Sequence, residues 1–165
     1  MSRFKNTKQK TFFADFPLPD LESKDDRLTI RCKFNFHYMD FTQKAGQKFS
    51  DWTQSQLAKM LEKLKAYSEQ TLSHWEKQRG GSGDGKVLVF YKQFPKRSET
   101  NFKLPKKTVP HQARWGRFRL GNRARLIGFV VPDNYQEKTH PGTKKEFDCN
   151  TFYTVFLDKD HKFWP

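Results

Sequence analysis

The stretch Arg117-Phe118-Arg119-Leu120-Gly121-Asn122-Arg123-Ala124-Arg125-Leu126-Ile127 sets two runs of alternating basic and apolar residues around Gly121-Asn122. Alternation with period two is the mark of a β-strand with two unlike faces, so this is a hairpin. The length of its loop decides which residues share a face. A loop of two or four residues puts Phe118 and Leu120 on the side of Arg125 and Ile127, mixing charge into the core. A three-residue loop, Gly121-Asn122-Arg123, sorts Phe118, Leu120, Leu126 and Val130 to one side and Arg117, Arg119, Arg125 and Phe129 to the other. Register in a sheet with a buried face follows such sorting. Three-residue loops commonly carry Gly or Asn in the left-handed conformation, so the odd loop is expected. Helices would then cover the Phe118/Leu120 face and leave the arginines on an open one.

The hairpin closes a strongly basic window. Between Lys86 and Arg125 there are twelve Lys and Arg against one acid, Glu99, which places most of the chain's net +14 in a quarter of its length. Charge of one sign at this density repels itself, and a polyanion is the usual partner. Phe90, Tyr91, Phe94, Phe102, Trp115 and Phe118 are interleaved with it, as suits stacking on unpaired bases.

Upstream, Leu28, Ile30, Cys32, Phe34, Phe36 and Tyr38 alternate with polar residues, predicting an eleven-residue strand. Thr53 to Gln56 has capping-box spacing, with Ser50 as an alternative cap. Leu57, Met60, Leu61 and Leu64 then form the apolar stripe of a helix. A second short helix is predicted over 68–78, burying Leu72 and Trp75 and ending at Gly80-Gly81. Strands follow at 87–91, 115–120, 125–131 and 151–157, the last apolar on both parities and so central. Lys- and Pro-rich loops over 93–113 and 132–148 separate them.

The predicted fold is α+β: a small, mainly antiparallel sheet of about five strands with a two-helix hairpin on one face. Residues 28–165 form its single domain, and residues 1–27 read as a tail or arm. No stretch approaches the roughly 20 apolar residues of a membrane span. The opening Met1-Ser2-Arg3-Phe4-Lys5 leads into polar sequence and not into a signal-peptide core, so a cytoplasmic protein without membrane association is expected. Cys32 and Cys149 are too few for a disulfide scaffold and lack metal-ligand spacing. Gly80 to Gly85 lacks the spacing of a phosphate-binding loop. His37 and His74 read as structural.

The order of elements resembles the RelE/ParE superfamily of small bacterial toxins, and residues 117–127 look like that family's central R-x-R-x-G-x-x-R-L-I-Y hairpin. The stretch Leu157 to Phe163, with His161, is similar to the H-x-x-F ending of its YafQ-like branch. Family members are shorter; the tail and the two long loops are additions to that pattern. The resemblance implies a metal-independent, ribosome-associated endoribonuclease of a toxin–antitoxin or phage-defence system, needing no cofactor. In that matching His161, Arg125 and Arg117 are catalytic. Arg125 stabilises the transition state, and Asp158 or Asp160 is placed to orient His161. RNA would be held by Arg119, Arg123, Arg114, Lys103, Lys106, Lys107 and the stacking ring of Phe163. RNA or the ribosome is the implied partner, with an acidic antitoxin or other protein as another. Arg suits the phosphate role because its guanidinium stays charged and grips oxygens in pairs. His suits proton transfer because its pKa lies near working pH. A nucleic-acid-binding or protein-interaction module without catalysis would use the same basic face.

Overall fold

The computed structural model describes residue 21, residues 27–81 and residues 85–164. Apart from residues 21 and 27, the expected tail lies outside them, as do residues 82–84 of the turn before the second strand. Seven elements follow one another: β1 (Lys33–Asn35), α1 (Gln54–Tyr67), α2 (Leu72–Lys77), β2 (Leu88–Phe90), β3 (Arg114–Arg119), β4 (Arg125–Val130) and β5 (Thr151–Asp158). The strands form one sheet in the order β1-β5-β4-β3-β2, with β1 parallel to β5 and every other pair antiparallel. The protein is thus an α+β fold with two helices and a five-stranded mixed sheet. Among the described residues no helix is long and apolar enough to cross a membrane.

The hairpin has the odd loop. Arg119 pairs with Arg125, and the Leu120 N–H donates to the Ala124 carbonyl at 3.0 Å, leaving Gly121, Asn122 and Arg123 as the turn. None of the three takes a left-handed φ, contrary to the expected Gly or Asn conformation. Arg125 closes the turn instead, its Nη1 donating to the carbonyls of Gly121, Asn122 and Ala124 at 2.9–3.2 Å.

Helix α1 begins with the predicted capping box: Thr53 Oγ1 accepts from the Gln56 N–H and Gln56 Oε1 from the Thr53 N–H. It buries Met60, Leu64 and Tyr67, whereas Leu61 is 60% exposed, so the buried stripe runs past Leu61 to Tyr67. Helix α2 is shorter than expected because Thr71 caps it, accepting from the His74 N–H. Both helices pack on Leu88, Phe118, Leu120, Leu126, Val130, Phe152 and Leu157. Phe152 and Leu157 have opposite parity yet share this face because the β4–β5 register shifts at Ile127/Gly128.

Strand β1 is far shorter than its alternation predicts. Leu28–Ile30 form a 3-10 turn, and the Asn35 side chain accepts the His37 N–H at 2.9 Å, turning the chain out of the sheet. Leu28 and Phe36 are correspondingly exposed.

The second face of the sheet is not open. Segments 36–48 and 91–113 and the residues after β5 fold over it. They enclose a second core of Ala45, Phe102, Trp115, Ile127, Phe129, Val155, Phe156 and Phe163. The Asp40 and Gln47 N–H groups donate to Val155 and Leu157, fastening the first of these segments. All six residues of β4 are consequently buried. Among the described residues, the apolar roof does not extend over the hairpin end of this face, where β3 and β4 carry arginine.

Candidate functional site

At that end Arg117 and Arg119 project from β3 in alternation with Phe118, Arg125 sits opposite Arg119, and Asp158 sits opposite Arg125 as the last residue of β5. Asp158 is fully buried, and its carboxylate folds the following residues into a loop. Oδ1 accepts from the Lys162 N–H at 2.9 Å and the Asp160 N–H at 3.3 Å, and Oδ2 from the Phe163 N–H at 2.8 Å. Arg123 adds a second tie, donating from Nη2 to the Asp160 carbonyl at 3.1 Å. The loop carries His161 at φ +61°, a conformation that non-glycine residues seldom adopt. It brings the imidazole to Arg117 and Arg125.

The electrostatics of the cluster are one-sided. Arg125 is only 6% exposed. Burial, and then the charges of Arg117 and Arg119, press its pKa down to about 10, against the opposing pull of Asp158 and Tyr91. His161 is pushed below its ordinary value first by burial and then by Arg125 and Arg117, with Asp158 acting the other way. Its imidazole is therefore neutral at pH 7. Three buried side-chain nitrogens in this cluster, Arg117 Nε, Arg125 Nε and His161 Nε2, have no hydrogen-bond partner. Buried polar atoms are nearly always paired, so these three stand out as exceptions, gathered under a positive field that favours an anion nearby.

Tyr91, just beyond β2, completes the cluster; in the sequence it stands only as one of six aromatics interleaved with the basic window. Its hydroxyl is hydrogen-bonded to Arg117, and burial raises its pKa, so it keeps its proton. Its ring stacks on Trp164 at 4.7 Å and 11°. Its position at the end of the predicted strand 87–91, inside the basic window, is the signal the sequence offers.

The structure brings together His161, Arg125 and Arg117, with Arg123 at the edge. Arg119 turns aside: its Nη1 donates to Gly80 O at 3.2 Å and its Nε to Gly121 O, so it contributes charge more than contact. Arg114 lies at the other end of β3, paired with Glu76 at 2.6 Å and set over the Phe90 ring on the helical side. Lys103, Lys106 and Lys107 lie exposed on segment 91–113, Lys107 donating to the His37 carbonyl. Phe163, expected as a stacking ring, is 1% exposed and packs against Phe94, Phe102 and Trp115, so it is a core residue. Neither aspartate orients His161 by the expected direct bond. The Asp158 oxygens are taken by backbone N–H groups, and Asp160 pairs with Lys162 at 3.2 Å.

Both cysteines are buried; burial pushes the Cys32 thiol up to about 12 and also raises that of Cys149, which makes both poor nucleophiles. Among the described residues no cluster of three or more His, Cys, Asp or Glu is placed to hold a metal ion. No protein-family model, curated protein or solved structure matches the chain.

Proposed function

We propose that the chain binds single-stranded RNA at the hairpin end of its sheet and cleaves it without a metal, in the manner of the RelE/ParE toxins that its hairpin and His161 ending resemble. The observation that carries this is the gathering of Arg117, Arg125 and His161 with the Tyr91 hydroxyl, which is hydrogen-bonded to Arg117. A neutral imidazole is a base at pH 7. The His161 imidazole, partly exposed, takes the proton of a ribose 2′-OH, whose oxygen attacks the adjacent phosphorus. Arg117 and Arg125 stabilise the charge on the phosphorane oxygens. The P–O5′ bond breaks, and the leaving oxygen takes a proton from the Tyr91 hydroxyl, leaving a phenolate beside Arg117 and an imidazolium at His161. The imidazolium proton returns to Tyr91 through solvent. The products are a 2′,3′-cyclic phosphate and a 5′-hydroxyl.

This activity belongs in the cytoplasm, on RNA free or in the ribosome, and suits a toxin–antitoxin or defence system in which an acidic partner protein covers the cationic end. The test is incubation of an end-labelled RNA with the protein in excess chelator. His161→Ala should slow cleavage about 10²- to 10⁴-fold while circular dichroism stays that of the wild type. Cleavage at the wild-type rate by that variant would remove the proposal. A binding module without catalysis has one observation of its own, the commitment of Arg125 Nη1 to three hairpin carbonyls. Salt-sensitive RNA binding with no cleavage would select it.

A further inference from the structure

Segment 91–113 does more than roof the second core. Its inner side supplies Phe94 and Phe102 to that core, and its outer side leaves two adjoining hollows that share Phe94 and Leu104. The larger, about 430 Å³, runs from Lys92 and Phe94 past Pro105 to Trp115. The smaller, about 350 Å³, lies between Pro95, Arg97, Phe102 and Lys103. Both volumes are in the range of about 300–1,000 Å³ usual for ligand sites. Leu104 stands between them and is 67% exposed. Among the described residues no carboxylate lines either hollow. Among the described residues none of Lys92, Arg97 and Lys103 is paired with an acid. An apolar, aromatic floor with an unpaired cationic rim suits a ligand that is flat and apolar in one part and anionic in another. An unpaired nucleotide is such a ligand.

The hollows are held open and joined to the arginine cluster. Lys103 N–H donates to Gln43 Oε1, Lys106 N–H to Asp40 Oδ2 and Phe102 N–H to Thr100 Oγ1, so the segment is pinned before anything binds. Lys92 directly follows Tyr91. Trp115 lies two residues from Arg117 on the same face of β3, about 7 Å along the strand. The Phe94 ring is 5.4 Å from that of Phe163, two residues after His161. Lys92 and Trp115, which line the larger hollow, thus lie one and two residues in sequence from Tyr91 and Arg117 of the cluster.

We propose that this cleft receives an unpaired base of the same RNA strand, next to the phosphate held by the arginine cluster, with Leu104 and Phe94 against the base and Lys92, Arg97 and Lys103 on its phosphates. The inference rests on the RNA-binding part of the preceding proposal but not on catalysis.

The test uses the full chain and uncleavable 2′-O-methyl RNA, so that binding is read without chemistry. Affinities of a hexamer and a dinucleotide are measured by fluorescence anisotropy for wild type and for Leu104→Asp. The change adds charge at an exposed position and leaves the fold intact, as the melting temperature checks. The hexamer should bind the variant about tenfold more weakly, and the dinucleotide should bind both proteins alike. In a series of hexamers carrying one abasic position each, one position should lose a similar factor on wild type and lose little more on the variant. A hexamer indifferent to Leu104→Asp, or a series in which no abasic position weakens binding, would overturn the pocket. So would an acidic peptide that occupies the cleft and that the hexamer fails to displace. If chelator-resistant cleavage proceeds while the hexamer ignores Leu104→Asp, the pocket falls alone. If no RNA is cleaved while the hexamer results hold, the nuclease falls and the pocket stands.

Discussion

Asp158→Asn is the substitution that best separates a built site from a chance grouping of charges. It keeps the volume and exchanges one carboxylate oxygen for an amide. Asp158 is fully buried, and its two oxygens together accept three backbone N–H groups from Asp160, Lys162 and Phe163. Whichever way the asparagine amide turns, at least one of those N–H groups then faces another donor. A hydrogen bond to a charged group contributes about 1.5–3 kcal/mol, and the stranded donor costs about 1–3 kcal/mol more. Neutralisation also removes the counter-charge of Arg125, against which the relief of burying a neutral group in place of an anion must be set. We take the net loss as about 3 kcal/mol, which for a chain of this size lowers Tm by roughly 6–12 °C. The loop that holds His161 loosens with it, and displacement of a reacting group by about 1 Å costs about 10²-fold in rate. Thermal melts and cleavage of an end-labelled RNA read the two effects. A variant that melts within about 2 °C of wild type and cleaves RNA at the same rate would refute the assignment of Asp158 as the residue that forms the site.

The depressed pKa of His161 sets a direction in pH. Its folded value lies below 6.5, so kcat/KM should rise from acid pH to a plateau with a midpoint below 6.5. The unfolded chain binds that proton more readily, so the stability present above pH 6.5 is lost as pH falls through the folded value, and His161→Gln should flatten that part of the melting profile. A kcat/KM midpoint above 6.5 would contradict the environment described. Phe163→Ala should cost about 3–5 kcal/mol in urea denaturation, because the ring fills the second core; unchanged stability with weakened RNA binding would return Phe163 to a stacking role. Gly128→Ala places a Cβ 2.3 Å from the Tyr153 carbonyl and 2.6 Å from the Phe152 ring, so a loss of about 1–3 kcal/mol or more is expected in the same assay. RNA affinity should fall by about 0.7 log unit per log unit of salt for each phosphate held, and Arg117→Gln should reduce that slope by about one phosphate's share.

The hairpin register was readable because charge and apolarity sort cleanly on only one parity, and a sheet with a buried face enforces that sorting. The start of α1 was readable because its cap is a local exchange of two side chains. The roof over the second face was not. Phe94, Phe102 and Ala45 sit in irregular segments whose apolar residues follow no period, so nothing in their spacing says that they pack. With the roof unseen, Phe163 looked free to stack on a base, and the arginine face looked open along its whole length. The early end of β1 was hidden for a related reason: the alternation continues through Phe36 and Tyr38, while Asn35 breaks the strand by a side-chain bond that periodicity does not register. His161 and Arg125 are candidates from motif and chemistry, and the structure places them near each other. The cause of their proximity, a buried carboxylate satisfied by the backbone, depends on tertiary burial that Asp158 alone does not reveal.

The shift in register at Gly128 has a consequence for how such a site originates. Along an unbroken β5, Asp158 would share the parity of Phe152 and point its carboxylate into the helical core. The shift moves it to the opposite side, across from Arg125. A one-residue deletion near Val155 would thus invert everything beyond it, stranding an anion among hydrocarbons and freeing the imidazole from its guanidinium neighbours. One extra peptide unit acts here as a phase adjuster, through which a sheet packed on both sides presents polar chemistry at a single corner.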